Sequence, residues 1–547
     1  MRTRRLLGWL GLGVILALGS QFTPDGTVLA QEESRPPLVP APDREPDEGS
    51  GPYDTLVIRG ATLIDGTGAP PRGPVDIVVK GNRITEINSA GTPGLSMKSD
   101  RAPENADYEL DATGMYVMPG FVDLHVHAGG PPKNAEAEYA YKLWMAHGVT
   151  TVRGVSLTSQ KVAVDEKARS ARNEIVAPRI FNYQRPGSGW DQGRVDSAES
   201  ARAWVRWAAR NDVDGMKLGS GRPEVMAALL DVATLHGLGS TAHLGQSGVA
   251  QMNAIDAARL GLGTVTHFYG HFEALLKDYV VQPWPADMTY NDEQRRFGQA
   301  ARLWDKIHPP GSPEWTAYLQ EHLELGTVFD PTFTIYEAGR NVHAARTREW
   351  HDRYTLPSLM TFYGPSRSSH GAYWYDWTTS DEVAWRHFYQ VWFRLVNDYK
   401  KMGGRVTTGS DSGFIFDTYG FAYIEELELL QEAGFHPLEV IQAATMNGAL
   451  TLHEPTGEPI QFGVVRPGLL ADMVIVDENP LQNLKVLYGT GAIRLNDDTA
   501  RIERVGGITF TIKDGIIYDA KQLLADVAEM VDAQRRDGGR ETTSSQQ

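Results

Sequence analysis

From Tyr53 onward, short runs of β-branched and apolar residues are broken at close intervals by Gly and Pro: "TLVIRGATLIDG", "VDIVVKGNRITEI", "YELDATGMYVMPG". Such runs between turn formers predict hairpin-like strands. A matching strand-rich set returns near the other end as "GVVRPGLLADMVIVD" and "ITFTIKDGIIYDA". The two ends are therefore expected to build one small β-domain together. Between them, from about Pro119 to His453, short apolar strands alternate with helical stretches, the pattern of parallel β/α units. The candidate strands are "FVDLHVH", "VTTVRGV", "RIFNYQR", "VDGMKLG", "GSTAHLG", "TVTHFYG", "TVFDPTF" and "RVTTGSDSG". They predict an α/β fold, a (β/α)8 TIM barrel with a small β-sandwich domain built from both chain ends. The expected boundaries are 53–118 and 456–520 for the composite domain and 119–455 for the barrel, with long insertions after strands six and seven.

The flanking segments read differently. "MRTRRLLGWLGLGVILALGS" sets Arg2, Arg4 and Arg5 before fourteen mainly apolar residues, Leu6 to Gly19, which is short for a membrane span. With "VLAQ" as a cleavage point near Ala30, residues 1–30 are expected to be a signal peptide of a periplasmic or secreted protein, an uncleaved anchor being the alternative. Residues 31–52 are rich in Pro and acidic side chains and are expected to form a disordered linker. Residues 521–547 are expected to be a helical or disordered tail.

Composition narrows the chemistry. The 547 residues include no cysteine, so any metal must be held by nitrogen and oxygen ligands. A formal charge of −17 argues against nucleic acid as a partner, which needs a basic surface.

"GFVDLHVHAGG" places His125 and His127 one residue apart at the end of a strand, where alternation turns both imidazoles to the same side. At the ends of later candidate strands stand Lys217, His243, His267 and Asp411. Taken singly, Lys217 reads as a solvated amine, His243 or His267 as a hydrogen-bonded core histidine, and Asp411 as a turn residue in "GSDSG". Six ligand-type residues at the barrel end where active sites form make a stronger pattern than any one of them.

With these motifs in view, the chain from about Tyr53 to Ala520 resembles the metal-dependent amidohydrolase superfamily, in its prolidase-like and imidazolonepropionase-like branch. The resemblance is carried by "PGFVDLHVH", "TTVRGV", "GMKLGSG", "AHLG", the "TH" at His267, "TTGSDSG", "AATMNGA" and "VRPGLLADMVIVDENPL". It implies two divalent metal ions, with zinc suited to the donor set and manganese or cobalt able to substitute. His125, His127 and Asp411 would hold one ion and His243 and His267 the other. Lys217, carrying carbon dioxide as a carbamate, would bridge them. The implied chemistry is hydrolysis of an amide, in a peptide, an N-acyl amino acid or a similar molecule, with Asp411 moving the proton.

The chain also departs from that pattern. The third strand is followed by "NYQRPGSGWDQG" in place of a "GGHG"-like stretch, making Arg185 and Trp190 candidate substrate contacts. The sixth is followed by "THFYGH", adding Tyr269 and His271. The second insertion gathers Tyr373, Trp374, Tyr375, Trp377, Trp385, Phe388, Tyr389, Trp392 and Phe393. These aromatics read either as packing or as a lid over a bulky, apolar small-molecule substrate. Competing readings are a mononuclear deaminase, a lactone or ester hydrolase, and a non-catalytic scaffold. A homo-oligomer is compatible with all of them.

Overall fold

The computed structural model describes residues 38–155, 159–367 and 370–544. β1 (Leu56–Leu63), β2 (Arg72–Lys80), β3 (Arg83–Ser89), β4 (Tyr108–Asp111) and β5 (Tyr116–Pro119) lead into β6 (Phe121–Val126). β6 opens a parallel set that continues with β7 (Val149–Val155), β8 (Arg179–Gln184), β9 (Gly215–Leu218), β10 (Gly239–Ala242), β11 (Thr264–Thr266) and β12 (Val328–Asp330). The expected eighth strand is present as residues 405–408. There Phe329 N–H donates to Arg405 O at 3.0 Å on one side and Leu124 N–H to Thr408 O at 2.9 Å on the other. Those bonds close the barrel between β12 and β6.

The chain then returns with β13 (Met473–Val476), β14 (Ala492–Asn496), β15 (Arg501–Val505), β16 (Ile508–Lys513) and β17 (Ile516–Asp519). The composite domain expected from the two ends is one eight-stranded sheet in the order β17, β16, β13, β5, β1, β2, β3, with β4 beside β1. It bends back on itself, since Arg83 pairs with Leu470, and encloses Leu56, Ile58, Ile77, Val117, Met473 and Ile512. The seam between chain ends is β5 against β13, with Val117 facing Ile475 and Pro119 facing Met473. Only Gly120 separates β5 from β6. The sheet built by both chain ends is thus rigidly coupled to the first barrel strand.

Residues 1–37, which include the expected export signal, lie outside the described residues. The rest of the expected disordered linker is corrected by the structure. Leu38 and Ala41 are buried, Val39 bridges Glu136, and Ser50 bridges Ile517. Composition misleads here because two small apolar anchors and a few backbone hydrogen bonds suffice when the receiving surface is already folded. Lys142 fastens this strap, binding Glu48 at 2.6 Å and Glu138 and Asp526 at 2.9 Å. Asp526 belongs to the last helix, Ala520–Ser544. Leu523, Leu524, Val527 and Val531 of that helix form a buried stripe at helical spacing, so the first part of the expected tail is docked.

Both insertions are helical, with Glu293–Ala300 and Pro313–Glu324 in the first and the long helix Thr379–Lys401 in the second. Trp385, Phe388, Tyr389 and Trp392 of that long helix are fully buried. The helix starts at Thr378, whose hydroxyl accepts from the Asp381 amide.

Candidate active site

The strand ends converge as expected. Lys217 Nζ lies 2.7 Å from His125 Nε2. Asp411 Oδ1 lies 3.1 Å from His127 Nε2 and 3.5 Å from His125 Nε2, and its Oδ2 lies 3.6 Å from His267 Nε2. Ligand atoms of His125, His127 and Asp411 all fall within 4.8 Å of one another. His243 joins through His267, their ring centroids 4.6 Å apart. All six residues therefore share one end of the barrel.

Backbone geometry marks the same place. His267, Thr332 and Asp411 have φ of 65°, 49° and 50°, a left-handed conformation that costs a side-chain-bearing residue energy and collects at functional sites. Gly409 precedes Asp411 where a Cβ would come within 2.7 Å of both the Asp330 carboxylate and His125 Cβ, so only glycine fits there. Sequence reasoning missed the supports beneath the ligands. Asp123 accepts from the amides of His125 at 3.1 Å and Ser410 at 2.9 Å and from the Ser410 hydroxyl at 2.5 Å. One carboxylate thus ties the first ligand strand to the loop of Asp411. Arg153, fully buried, donates to Leu124 O, Thr241, Thr264 and Asp330, binding four strands below the site. The "FVD" of strand one and the "VR" of strand two were available as signals, since a charged residue inside an apolar strand must find a partner.

Electrostatics favour metal-binding protonation states. Burial pushes the His127 imidazole down to about 4 and His267 to about 3, and drives His125 and His243 well below their ordinary value. All four are neutral at pH 7. Burial likewise lowers Lys217 to about 7, with Asp411 opposing. For Asp411, burial alone would raise the carboxyl, but the hydrogen bond to His127 and the neighbouring charges pull it down to about 2. His267 Nδ1 bonds to the Thr332 hydroxyl, whose own proton goes to Pro331 O. That arrangement puts the imidazole proton on Nδ1 and leaves buried Nε2 without a hydrogen-bond partner among the described residues, its lone pair available. Four neutral imidazoles, one carboxylate and a buried amine fit divalent metal.

The four candidate substrate contacts divide. Tyr269 lies in the site, its ring 4.7 Å from His243 and 5.5 Å from His267. Arg185 is exposed, and its charge acts on Lys217 and His243. His271 is a correction: it is 2% exposed, its Nδ1 lies 2.6 Å from the Tyr318 hydroxyl, and it packs on Phe329. The left-handed turn at Gly270 carries it away from the ligands into the helical shell. Trp190 is also a correction, because its ring packs edge-on against Trp207 of the neighbouring helix. The aromatics of the second insertion pack chiefly on one another, and one of their contacts, Tyr336, reaches the site.

The model of the amidohydrolase family matches residues 392–517, the stretch that holds Asp411 and β13 to β16. That match makes under a quarter of the chain similar to the amidohydrolase family. The fold agrees over a greater length. A bottromycin amidohydrolase aligns with a TM-score of 0.58 at 20% identity, covering 88% of this chain and 91% of that one. A Xaa-Pro dipeptidase with bound methionine aligns with a TM-score of 0.54 at 19% identity, covering 85% of this chain and 100% of that one. Among curated relatives, the N-acyl-D-aspartate deacylase of Alcaligenes xylosoxydans xylosoxydans is 38% identical over 14% of this chain and 13% of its own length. The dihydroorotase of Thermus aquaticus is 27% identical over 22% of this chain and 25% of its own length. The matched stretches thus span a quarter or less of these curated amidohydrolases.

Proposed function

We propose that the chain is a binuclear metal-dependent hydrolase that cleaves an amide bond at an amino acid, in a dipeptide or an N-acyl amino acid. The observation that carries this reading is Lys217. It is 4% exposed, sits 2.7 Å from His125 Nε2 and faces Asp411 and the histidine pair. A permanent ammonium there would repel cations, whereas a neutral amine can add to carbon dioxide. Nζ forms the N–C bond, a proton leaves to solvent, and the resulting carbamate offers two anionic oxygens. His125, His127 and Asp411 would hold one ion, His243 and His267 the other, and the Lys217 carbamate both.

Bound metal would supply a water acidified toward neutral pH and a polarised substrate carbonyl. The chain's own groups do the remaining work. Asp411, ionised at neutral pH, takes the proton of the attacking water on a carboxylate oxygen and delivers it to the departing amine. Tyr269 lies on the His243 and His267 side, where a carbonyl oxygen would meet its hydroxyl. The activities for which the relatives are named, deacylation of N-acyl-D-aspartate and N-acyl-D-glutamate and cleavage of a Xaa-Pro dipeptide, support an amino acid as the common substrate part. The short apolar run after Arg4 and Arg5 supports export, testable by N-terminal sequencing of the processed protein.

The deciding experiment combines metal analysis with a turnover screen of dipeptides, N-acyl amino acids, lactones and aryl esters. Two ions per chain with amide cleavage is the expected result. One ion with ammonia release from a cyclic amidine or amine would replace the proposal with a mononuclear deaminase. Turnover confined to esters and lactones would replace the scissile bond, and no metal with no turnover would leave a scaffold.

A further inference from the structure

Tyr336 stands on the 3-10 turn Phe333–Arg340 that follows β12, at the start of the second insertion. Its hydroxyl lies 2.6 Å from that of Tyr269. Both residues are 3% exposed, and a phenol, with its ordinary pKa of about 10, keeps its proton at neutral pH. Among the described residues neither hydroxyl has a second hydrogen-bond partner. Two hydroxyls carry two protons, and the bond between them uses one. The other proton needs an acceptor, which must come from what enters the site. The Tyr269 ring is 4.7 Å from His243 and 5.5 Å from His267, and the Tyr336 ring is 5.7 Å from His267. Tyr269 is the nearer to the ligand set and is the one to release its proton outward.

We infer that Tyr336 is a positioning residue for the hydrolysis: it donates to Tyr269 so that the Tyr269 hydroxyl points its own proton at the oxygen on which negative charge develops. The inference rests on the amide-hydrolase reading and adds a residue supplied by the second insertion. Tyr336 is itself held. Its ring stacks on Trp385 at 5.7 Å with the planes 11° apart, and Phe297 of the first insertion lies 5.4 Å away. The buried aromatic mass of the two insertions therefore fixes the direction of one hydrogen bond in the site. A donor held in place before the reaction stabilises developing charge without reorganising. Its effect then falls on turnover more than on substrate affinity.

The experiment uses the metal-loaded full chain as wild type, Tyr269→Phe, Tyr336→Phe and the double variant. Phenylalanine keeps the ring that stacks on Trp385, and metal content and Tm are measured for each protein. With the best N-acetyl amino acid as substrate, Tyr336→Phe is expected to lower kcat about tenfold with KM within about twofold. Added to Tyr269→Phe, it should change kcat by less than about twofold, because residues acting through one another are not additive. A kcat within about twofold of wild type for Tyr336→Phe, or losses that multiply in the double variant, would overturn the inference. A calorimetric titration with methylphosphonate, a tetrahedral mimic, keeps this separate from the question of substrate. Even if no amide is turned over, each single variant should bind it about tenfold more weakly and the double variant no more weakly still. Equal binding in all four proteins, or no binding to wild type, counts against the Tyr336 donor.

Discussion

The backbone amide of Asp411 donates to the carbonyl oxygen of His125 at 2.8 Å. Two candidate ligand residues, far apart in sequence, are thereby locked together by the main chain. Their side chains can be exchanged without releasing the loop.

Asp411→Asn is the direct use of that lock. Asn tolerates the left-handed φ of 50° better than other substitutes, so the fold should be retained while the proton acceptor is lost. Turnover is expected to fall by about 10²–10⁴-fold, with Tm nearly unchanged. Near-normal turnover of the metal-loaded variant would remove Asp411 from the proton path.

Lys217 supports a second test. Lys217→Ala should lose at least one metal per chain and nearly all activity, and propionate should restore part of both by placing two carboxylate oxygens in the vacated space. Lys217→Arg should not respond, since its guanidinium stays charged and takes up no carbon dioxide. Metal analysis of both variants, with and without the acid, reads the result. Two metals and full turnover in Lys217→Arg would rule out the carbamate.

Glu273 gives a stability prediction away from the metal ligands. It is buried, accepts from the Gly270 amide at 2.9 Å, and desolvation raises its carboxyl from 4.5 to about 7. The folded state therefore favours the protonated form. That contribution is complete below pH 4.5, declines between pH 4.5 and 7, and is lost above. Glu273→Gln removes the titration, so its stability relative to wild type should rise across that window by about 3 kcal/mol at most and stay level beyond it. Urea unfolding of both proteins from pH 4 to 8 measures the difference.

The aromatic insertion is expected to behave as core. Trp385→Ala empties a fully buried site between Phe388 and Tyr336 and should cost about 3–5 kcal/mol of stability. Equal fractional losses on small and bulky substrates are expected from properly folded protein. A selective loss on bulky substrates with unchanged Tm would restore the lid.

The barrel strands and the placement of the candidate ligand residues at their ends were readable because strand alternation and parallel β/α order fix where a residue sits. His271 and Trp190 were not, since a residue one turn beyond a strand can face the site or the shell. The choice depends on a single φ, that of Gly270 for His271. Tyr336 was hidden inside an insertion with no periodic relation to the barrel. Leu38 and Ala41 were hidden by the prolines and acids around them, because composition reports what a segment could bury on its own and not what a finished surface could receive.

The β5–β13 seam has a consequence for how the protein is made. Every candidate ligand residue from His125 to Asp411 is synthesised before Met473, and β5, which leads into the strand of the first two, gains its β13 neighbour only afterwards. A chain whose translation stops short of that point holds all six candidate metal-binding side chains, with β6 paired to β7 but β5 lacking one of its two neighbours. The composite sheet is therefore completed only after all the barrel strands have been made.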